Sequence, residues 1–329
     1  MTLLIRPRRN RRTSAIRRLV EETVLHPADF VMPFFLIEGE NQRQSIGSMP
    51  GVFRLSLDLL LKEAEKFHRQ GIPAIALFPV IDQGLKDPMG SLALQEEGLI
   101  PHALQVLKKE IPSLCLVTDV ALDPFTTHGH DGIIDSHGDV INDATVKILC
   151  QMACLLGAAG ADIVAPSDMM DGRIGAIRGQ LDLAGLDQVG ICSYTAKYAS
   201  SLYSPFREAV GSGLKSGDKK TYQMNPANSR EAVRQALLDA EEGADMLMVK
   251  PALFYLDILT KIKEEVNLPL CAYHVSGEYA MVMSAHQQGW LNAPQVFYEA
   301  LMSIKRAGAD FIFSYAVPQI LPFLEVKSF

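Results

Sequence analysis

One junction recurs along this chain and constrains its fold more than any other feature. "LLGAAGADIVAPS" from Leu155, "DAEEGADMLMVKP" from Asp239 and "IKRAGADFIFSYA" from Ile304 each close a helical run on a glycine: Gly160, Gly243 and Gly308. Each continues Ala-Asp and then enters an apolar strand. "HRQGIPAIALFPV" around Gly71 is a looser fourth copy. The glycine suits the left-handed position that ends a helix, and the short loop after it is typical of parallel units. The strands read as continuous apolar runs, as expected where helices cover one face and a packed interior the other.

This pattern gives eight strand candidates, at 30–37, 73–80, 114–120, 161–166, 190–194, 244–250, 269–274 and 310–315. Helical patterns fill most of the gaps, at 56–70, 93–111, 142–159, 229–242, 252–266, 277–289 and 295–307. Eight βα units in a chain of 329 residues predict a (β/α)8 TIM barrel over 26–329. A doubly wound open sheet is the alternative, but no GxGxxG follows any strand. Chemistry in a barrel gathers at the C-terminal ends of the strands.

The net charge of −7 hides an asymmetry, because residues 1–20 hold seven arginines and no acid. A basic arm over 1–25 suits nucleic acid, an organelle transit peptide or the acidic surface of a sister subunit. The absence of interleaved aromatics favours the sister subunit, so neither nucleic acid nor membrane is expected as a partner. Apolar runs fall well short of the roughly 18 residues that span a bilayer. Five cysteines without a CxxC pair fit a reducing cytoplasm rather than a disulfide framework.

At the strand ends, Lys197 closes "SYTAK" and Lys250 closes "MVK", so two lysines approach one mouth from neighbouring strands. A single lysine there has an ordinary explanation, in which the stem packs and the head reaches water. Two are harder to dismiss, since each ammonium raises the cost of charging the other and burial acts in the same direction. A neutral amine is a nucleophile whose natural partner is a ketone or aldehyde, through a Schiff base. A lid is expected over about 198–225, carrying Arg207, Lys215, Lys219 and Lys220. Arg207 and Lys219 suit an anionic substrate; Lys215 and Lys220 suit simple solvation. The loop 118–143 crowds Asp119, Asp123, Asp131, Asp135, Asp139 and Asp143 with His128, His130 and His137. It suits a divalent ion held by oxygen, or equally a polar loop rich in turn formers, with Asp143 as a helix N-cap.

These segments resemble the porphobilinogen synthase (5-aminolaevulinate dehydratase) family. "RPRRNRR", "MPFF", "DVALDPFTTHGHDG", "APSDMMDGRIGAIR", "SYTAKYASSLYSPFREA", "GDKKTYQMNPAN", "GADMLMVKPAL", "YHVSGEYAM" and "RAGADFIFSYA" carry the likeness along nearly the whole chain. The resemblance implies condensation of two 5-aminolaevulinate molecules to porphobilinogen, with loss of two waters, in tetrapyrrole biosynthesis. It also implies a homo-octamer whose N-terminal arm wraps a neighbour. On the same basis Lys250 forms the Schiff base with the first substrate and Lys197 holds the second. Arg207, Lys219 and Gln223 bind the second substrate's carboxylate, and Ser276 and Tyr315 bind the first's. Phe78 walls the pocket, while Asp119 and Asp131 act in acid–base or ion-positioning roles.

Two departures bear on metal. Zinc-dependent members carry three cysteines where this chain has Ala121, Asp123 and Asp131. That excludes catalytic zinc and leaves Asp123 and Asp131 as oxygen ligands for magnesium or potassium. Members activated by magnesium between subunits carry a glutamate where this chain has Gln235, which puts that site in doubt. No organic cofactor is implied. A class I aldolase-type lyase on another small keto acid is the rival reading. It needs only one lysine and a glycine-rich phosphate turn that is absent here.

Overall fold

The computed structural model describes residues 3–215 and 217–324. Its eight parallel strands are β1 (Phe30–Leu36), β2 (Ala74–Pro79), β3 (Cys115–Val120), β4 (Ile163–Pro166), β5 (Gly190–Lys197), β6 (Met246–Lys250), β7 (Leu270–His274) and β8 (Phe311–Ser314). Each pairs with the next, and β1 returns to β8 through Phe30↔Ile312 and Val31↔Phe313, so the sheet closes. Among the described residues, eight helices of ten or more residues lie between the strands: Leu57–Arg69, Leu99–Glu110, Asn142–Ala158, Arg173–Leu183, Arg230–Glu241, Leu256–Glu265, Ser276–Gln287 and Ala293–Arg306. This is the TIM barrel that the recurring junction predicts. A hairpin of Arg43–Ser45 and Phe53–Leu55 extends the sheet beside the top of β1.

The junction has a physical cause beyond its glycine. Gly160, Gly243 and Gly308 take φ of 113°, 97° and 117°, a region that L side chains rarely adopt. A Cβ there would also press on Lys108, Arg178 or Lys263 at 3.0–3.1 Å. The aspartate that follows caps the neighbouring strand. Asp162 Oδ2 accepts the Leu116 N–H, Asp245 Oδ2 the Ile191 N–H and Asp310 Oδ2 the Leu270 N–H, each at 2.7 Å. These N–H groups lie at the start of a strand, where they would otherwise lack a partner. Lys108 and Lys263 complete two of the three junctions with ion pairs of 2.6 Å to Asp162 and Asp310.

Three elements depart from the sequence reading. The helix Arg173–Leu183 escapes the sequence pattern, because Gly175 and Gly179 lower its helix propensity beside a short apolar face of Ile174, Ile177 and Leu181. Strand β5 runs to Lys197 rather than stopping at Tyr194, since Thr195 and Lys197 break the apolar run yet are buried against polar partners. The helix over 142–158 begins at Asn142 with Ile141 as its N-cap, so Asp143 lies inside the first turn and is not the cap.

The N-terminal segment holds a 3-10 turn (Pro7–Arg11) and a short helix (Ser14–Leu19) with no buried residue. Its apolar side chains stand in solvent, with Leu4 87 %, Ile5 80 % and Leu19 84 % exposed. No helix among the described residues is long and apolar enough to cross a membrane.

The junction makes a testable claim. Replacing Asp162 by Ala strands the Leu116 N–H and should destabilise the chain by about 1–3 kcal/mol. Asp162→Asn keeps an acceptor and should recover most of that loss. Chemical unfolding midpoints of the two variants decide it, and equal midpoints would refute the capping role.

Candidate active site

Strands β5 and β6 pair Lys197 directly with Lys250, so the two lysines share one mouth. The register shifts between Ser193 and Ala196, which adds one residue to β5. In an unbroken strand Tyr194 and Lys197, three apart, would face opposite sides. The bulge lets both face the chamber, while Ser193 and Thr195 turn outward to donate to Asp239 at 2.6 and 2.8 Å.

The two ammonium groups meet different surroundings. Lys250 Nζ stands over four rings, at 4.5 Å from Tyr273, 5.0 Å from Tyr194, 5.2 Å from Phe206 and 5.3 Å from Tyr203. Burial, with Lys197 as a second cause, lowers its pKa from 10.5 to about 7. Ring faces attract an ammonium but hydrate it far less than water does, so the neutral amine gains. Lys197 Nζ has polar partners instead: Asp131 Oδ1 at 3.2 Å and the Ser167 carbonyl.

The acids divide as sharply. Burial, reinforced by Asp123, raises Asp119 to about 7, and its Oδ1 has no hydrogen-bond partner. Burial pushes Asp131 the same way, but the ammoniums of Lys197 and Lys219 outweigh it and hold its carboxyl well below the usual range. Lys219 Nζ lies 2.7 Å from Asp131 Oδ2 and 3.7 Å from Asp123 Oδ2. A lysine therefore bridges the two carboxylates offered above as magnesium or potassium ligands. Among the described residues no group of three His, Cys, Asp or Glu side chains is placed to hold a metal ion. These residues do not fit a divalent cation.

The expected lid holds a helix, Ser204–Val210, rather than open loop throughout. Arg207, Lys219 and Gln223 line one cavity with both lysines and with Asp119, Asp123 and Asp131. Its free volume is about 30 Å³. Gln223 Oε1 has no hydrogen-bond partner there. Lys220 lies outside, 76 % exposed and paired with Asp218. Ser276, Tyr315 and Phe78 stand behind the aromatic layer rather than in this cavity. Ser276 Oγ accepts the Phe206 N–H at 3.0 Å, and Tyr315 Oη lies 3.0 Å from Tyr273 Oη. Phe78 meets Phe206 edge-on at 5.2 Å. Phe206 thus fills the space between Lys250 and the wall that Phe35 and Phe78 form.

The sequence reading missed Tyr194, Tyr203, Phe206 and Tyr273 around Lys250, and also the carbonyl of Ser167. Aromatic residues in barrel strands ordinarily signal core. Only their convergence on one ammonium marks these. A second buried network lies behind β5: Arg173 Nε is 3.4 Å from Asp168, and Gln235 Nε2 donates to Asp239 Oδ1 at 2.8 Å. Burial raises Asp168 to about 6 against the pull of Arg173.

The depressed amine predicts a pH profile. Borohydride trapping of a small γ-keto acid on Lys250 should rise through a midpoint near pH 7 as the neutral amine forms. An ordinary lysine would show its midpoint more than three units higher. Mass spectrometry of the trapped peptide reads the site, and a midpoint near 10 refutes the depressed amine.

A family model described as delta-aminolevulinic acid dehydratase matches residues 4–323. The chain is similar to the delta-aminolevulinic acid dehydratase of Chlamydia pneumoniae, 55 % identical over 324 residues that cover 98 % of this chain and 97 % of that one. The protein of the same name from Bradyrhizobium diazoefficiens is 51 % identical over 320 residues, covering 97 % and 90 % of the two chains. Among solved structures, the delta-aminolevulinic acid dehydratase (porphobilinogen synthase) of Toxoplasma gondii ME49, in complex with its product porphobilinogen, superposes with a TM-score of 0.95. It is 48 % identical, and the match covers 98 % of this chain and 92 % of that one.

Proposed function

This chain belongs to the delta-aminolevulinic acid dehydratase family, and we infer that it is a lyase that condenses two molecules of 5-aminolaevulinate into porphobilinogen. Two waters are lost, and the product feeds porphyrin and haem biosynthesis. The observation that carries the residue roles is the pairing of Lys197 with Lys250 in one buried chamber, with one amine lowered to about 7.

Lys250 is the nucleophile toward the first substrate. Its neutral nitrogen adds to the ketone carbon; with one proton taken up from the chamber, the carbonyl oxygen leaves as water and a protonated imine remains. That cation withdraws electrons from the neighbouring C–H, so a weak base suffices to remove the proton. Asp119, titrating near neutrality with a free Oδ1, is placed to take and return such protons. Lys197 holds the second substrate, again as an imine. Asp131 is the ion-positioning group, since its anion fixes Lys197 and Lys219. Arg207, Lys219 and Gln223 offer donors to the second carboxylate. The seat for the first carboxylate at Ser276 and Tyr315 becomes free when the lid helix withdraws Phe206, because Ser276 now holds the Phe206 N–H.

The chemistry proposed needs no metal. Ala121 offers no donor, Asp123 and Asp131 are bridged by Lys219, and none of the five free cysteines lines the chamber. The unpaired thiols also suit a reducing cytoplasm. The exposed apolar side chains of the arm suit a seat on a second copy in a homo-oligomer, for which an octamer is the family's form.

Four results test this reading. Lys250→Ala should lower porphobilinogen formation by on the order of 10⁴-fold or more, the scale of losing a nucleophile. Lys197→Ala should be nearly as damaging and Lys220→Ala mild; near-normal turnover in Lys250→Ala sinks the assignment. Deleting residues 1–20 should give smaller assemblies by light scattering, and an unchanged mass rules out the arm as an assembly element. Zinc-selective chelators and thiol reagents should leave turnover intact. Gln235→Glu sets a second carboxylate beside Asp239, and magnesium should stimulate that variant more than the unmodified chain. Equal response in the two would show that Gln235 does not govern magnesium activation.

A further inference from the structure

The lid helix is fastened at its C-terminal end by side chains from the opposite wall of the mouth. The last carbonyls of a helix have no partner within it and need donors from elsewhere. Arg54 supplies two, from Nε to the Ala209 carbonyl at 2.6 Å and from Nη2 to the Glu208 carbonyl at 2.8 Å. Gln83 Nε2 and Lys86 Nζ both donate to the Gly211 carbonyl, at 2.6 and 2.8 Å. Gly211 takes φ of 63°, and a Cβ there would press on Gln83 Nε2 at 3.3 Å. Lys86 is buried with a stem that spans from the loop after β2. Arg54 comes from the hairpin, held on β1 through Phe35↔Arg54. The N-terminal end has its own anchor. Ser276 Oγ holds the Phe206 N–H, and the Cβ of any residue replacing Gly277 would fall 2.4 Å from the Leu202 carbonyl.

A chamber of about 30 Å³ has room for a water or so, not for two keto acids. Substrate therefore enters only after the lid helix moves, and the contacts it must break at its C-terminal end are those of Arg54, Gln83 and Lys86. We propose that these three are positioning residues, a latch whose grip on the carbonyls of Glu208, Ala209 and Gly211 sets Phe206 and Arg207 over Lys250 and governs entry to the chamber. The role rests on the functional reading above for its kinetic consequence, though not for its structural one. None of the three donors lines the cavity, so their hydrogen bonds act through the lid, although the charge of Lys86 is also felt by Asp123 in the chamber. Two of them carry charge and reach neutral carbonyls, and charge-assisted hydrogen bonds are the stronger kind.

Hydrogen exchange on the full-length, ligand-free protein tests the latch directly. Lys86→Met and Arg54→Leu should speed exchange at the amides of 206–212 at least tenfold and leave those of β5 and β6 unchanged. Lys86→Arg restores a charged donor and should restore protection. In turnover, the Met and Leu variants should raise KM for 5-aminolaevulinate severalfold while kcat moves less, because Arg207 binds substrate less often in place. Unchanged lid exchange in both variants overturns the latch, and faster exchange with an unchanged KM overturns its role in substrate binding. If either variant does not fold, Gln83→Ala at the exposed member carries the same comparison. Failure of the unmodified chain to form porphobilinogen would instead overturn the functional reading, and the exchange result would still decide the latch.

Discussion

Two lysine side chains end paired strands in a buried chamber, and most of the surrounding structure answers the electrostatic cost of keeping them there. Water would hydrate both; the chamber offers each a different substitute. Lys197 receives an anion and a carbonyl, while Lys250 receives ring faces and the repulsion of its neighbour. The result is two distinct environments for two chemically identical side chains. Burial and the neighbouring ammonium lower Lys250 to about 7, whereas Lys197 has a carboxylate within 3.2 Å.

The carboxylates obey the same logic in reverse. Asp131 lies between two lysines and stays ionised, whereas Asp119 lacks so close a cation and is pushed up to about 7. Burial acts on both in the same direction, so the difference between them comes from the charges nearby: two ammoniums against Asp131, and the repulsion of Asp123 on Asp119. Lys219 joins this balance by bridging Asp131 and Asp123, and in doing so takes the place that a cation would need. Charge in the chamber is thus balanced largely from within the chain. Arg173, Asp168, Asp239 and Gln235 repeat that arrangement behind β5, where Gln235 gives its amide to a carboxylate that a glutamate would repel.

Support for the chamber comes from both ends of the barrel. At the bottom, Asp162, Asp245 and Asp310 each tie the start of one strand to the next. At the top, the hairpin and the loop after β2 grip the lid helix, and Ser276 holds its other end. The strands supply a rigid frame and the lid a movable cover, a partition that suits a site closed to water during reaction yet open to substrate.

The barrel was legible because its signals are local. Apolar runs give strands, the glycine of each junction ends a helix, and a glycine-aspartate repeat exposes the βα period. The same logic placed Lys197 and Lys250 at neighbouring strand ends. The helix Arg173–Leu183 was not legible, because its glycines hide a face that only tertiary packing stabilises. Nor could sequence decide which way Lys197 points: one extra residue in β5 reverses the alternation, and that bulge is set by pairing with β6. The partners of Lys219, Ser276 and Tyr315 were likewise fixed by approach in space, since each side chain took the nearest buried group needing a hydrogen bond or counter-charge. The sequence by itself determined the closed barrel and the pair of lysines at its mouth, because short-range periodicity suffices for both. The tertiary structure alone lowered the pKa of Lys250, because desolvation and charge balance depend on groups brought together from four strands, their loops and a lid.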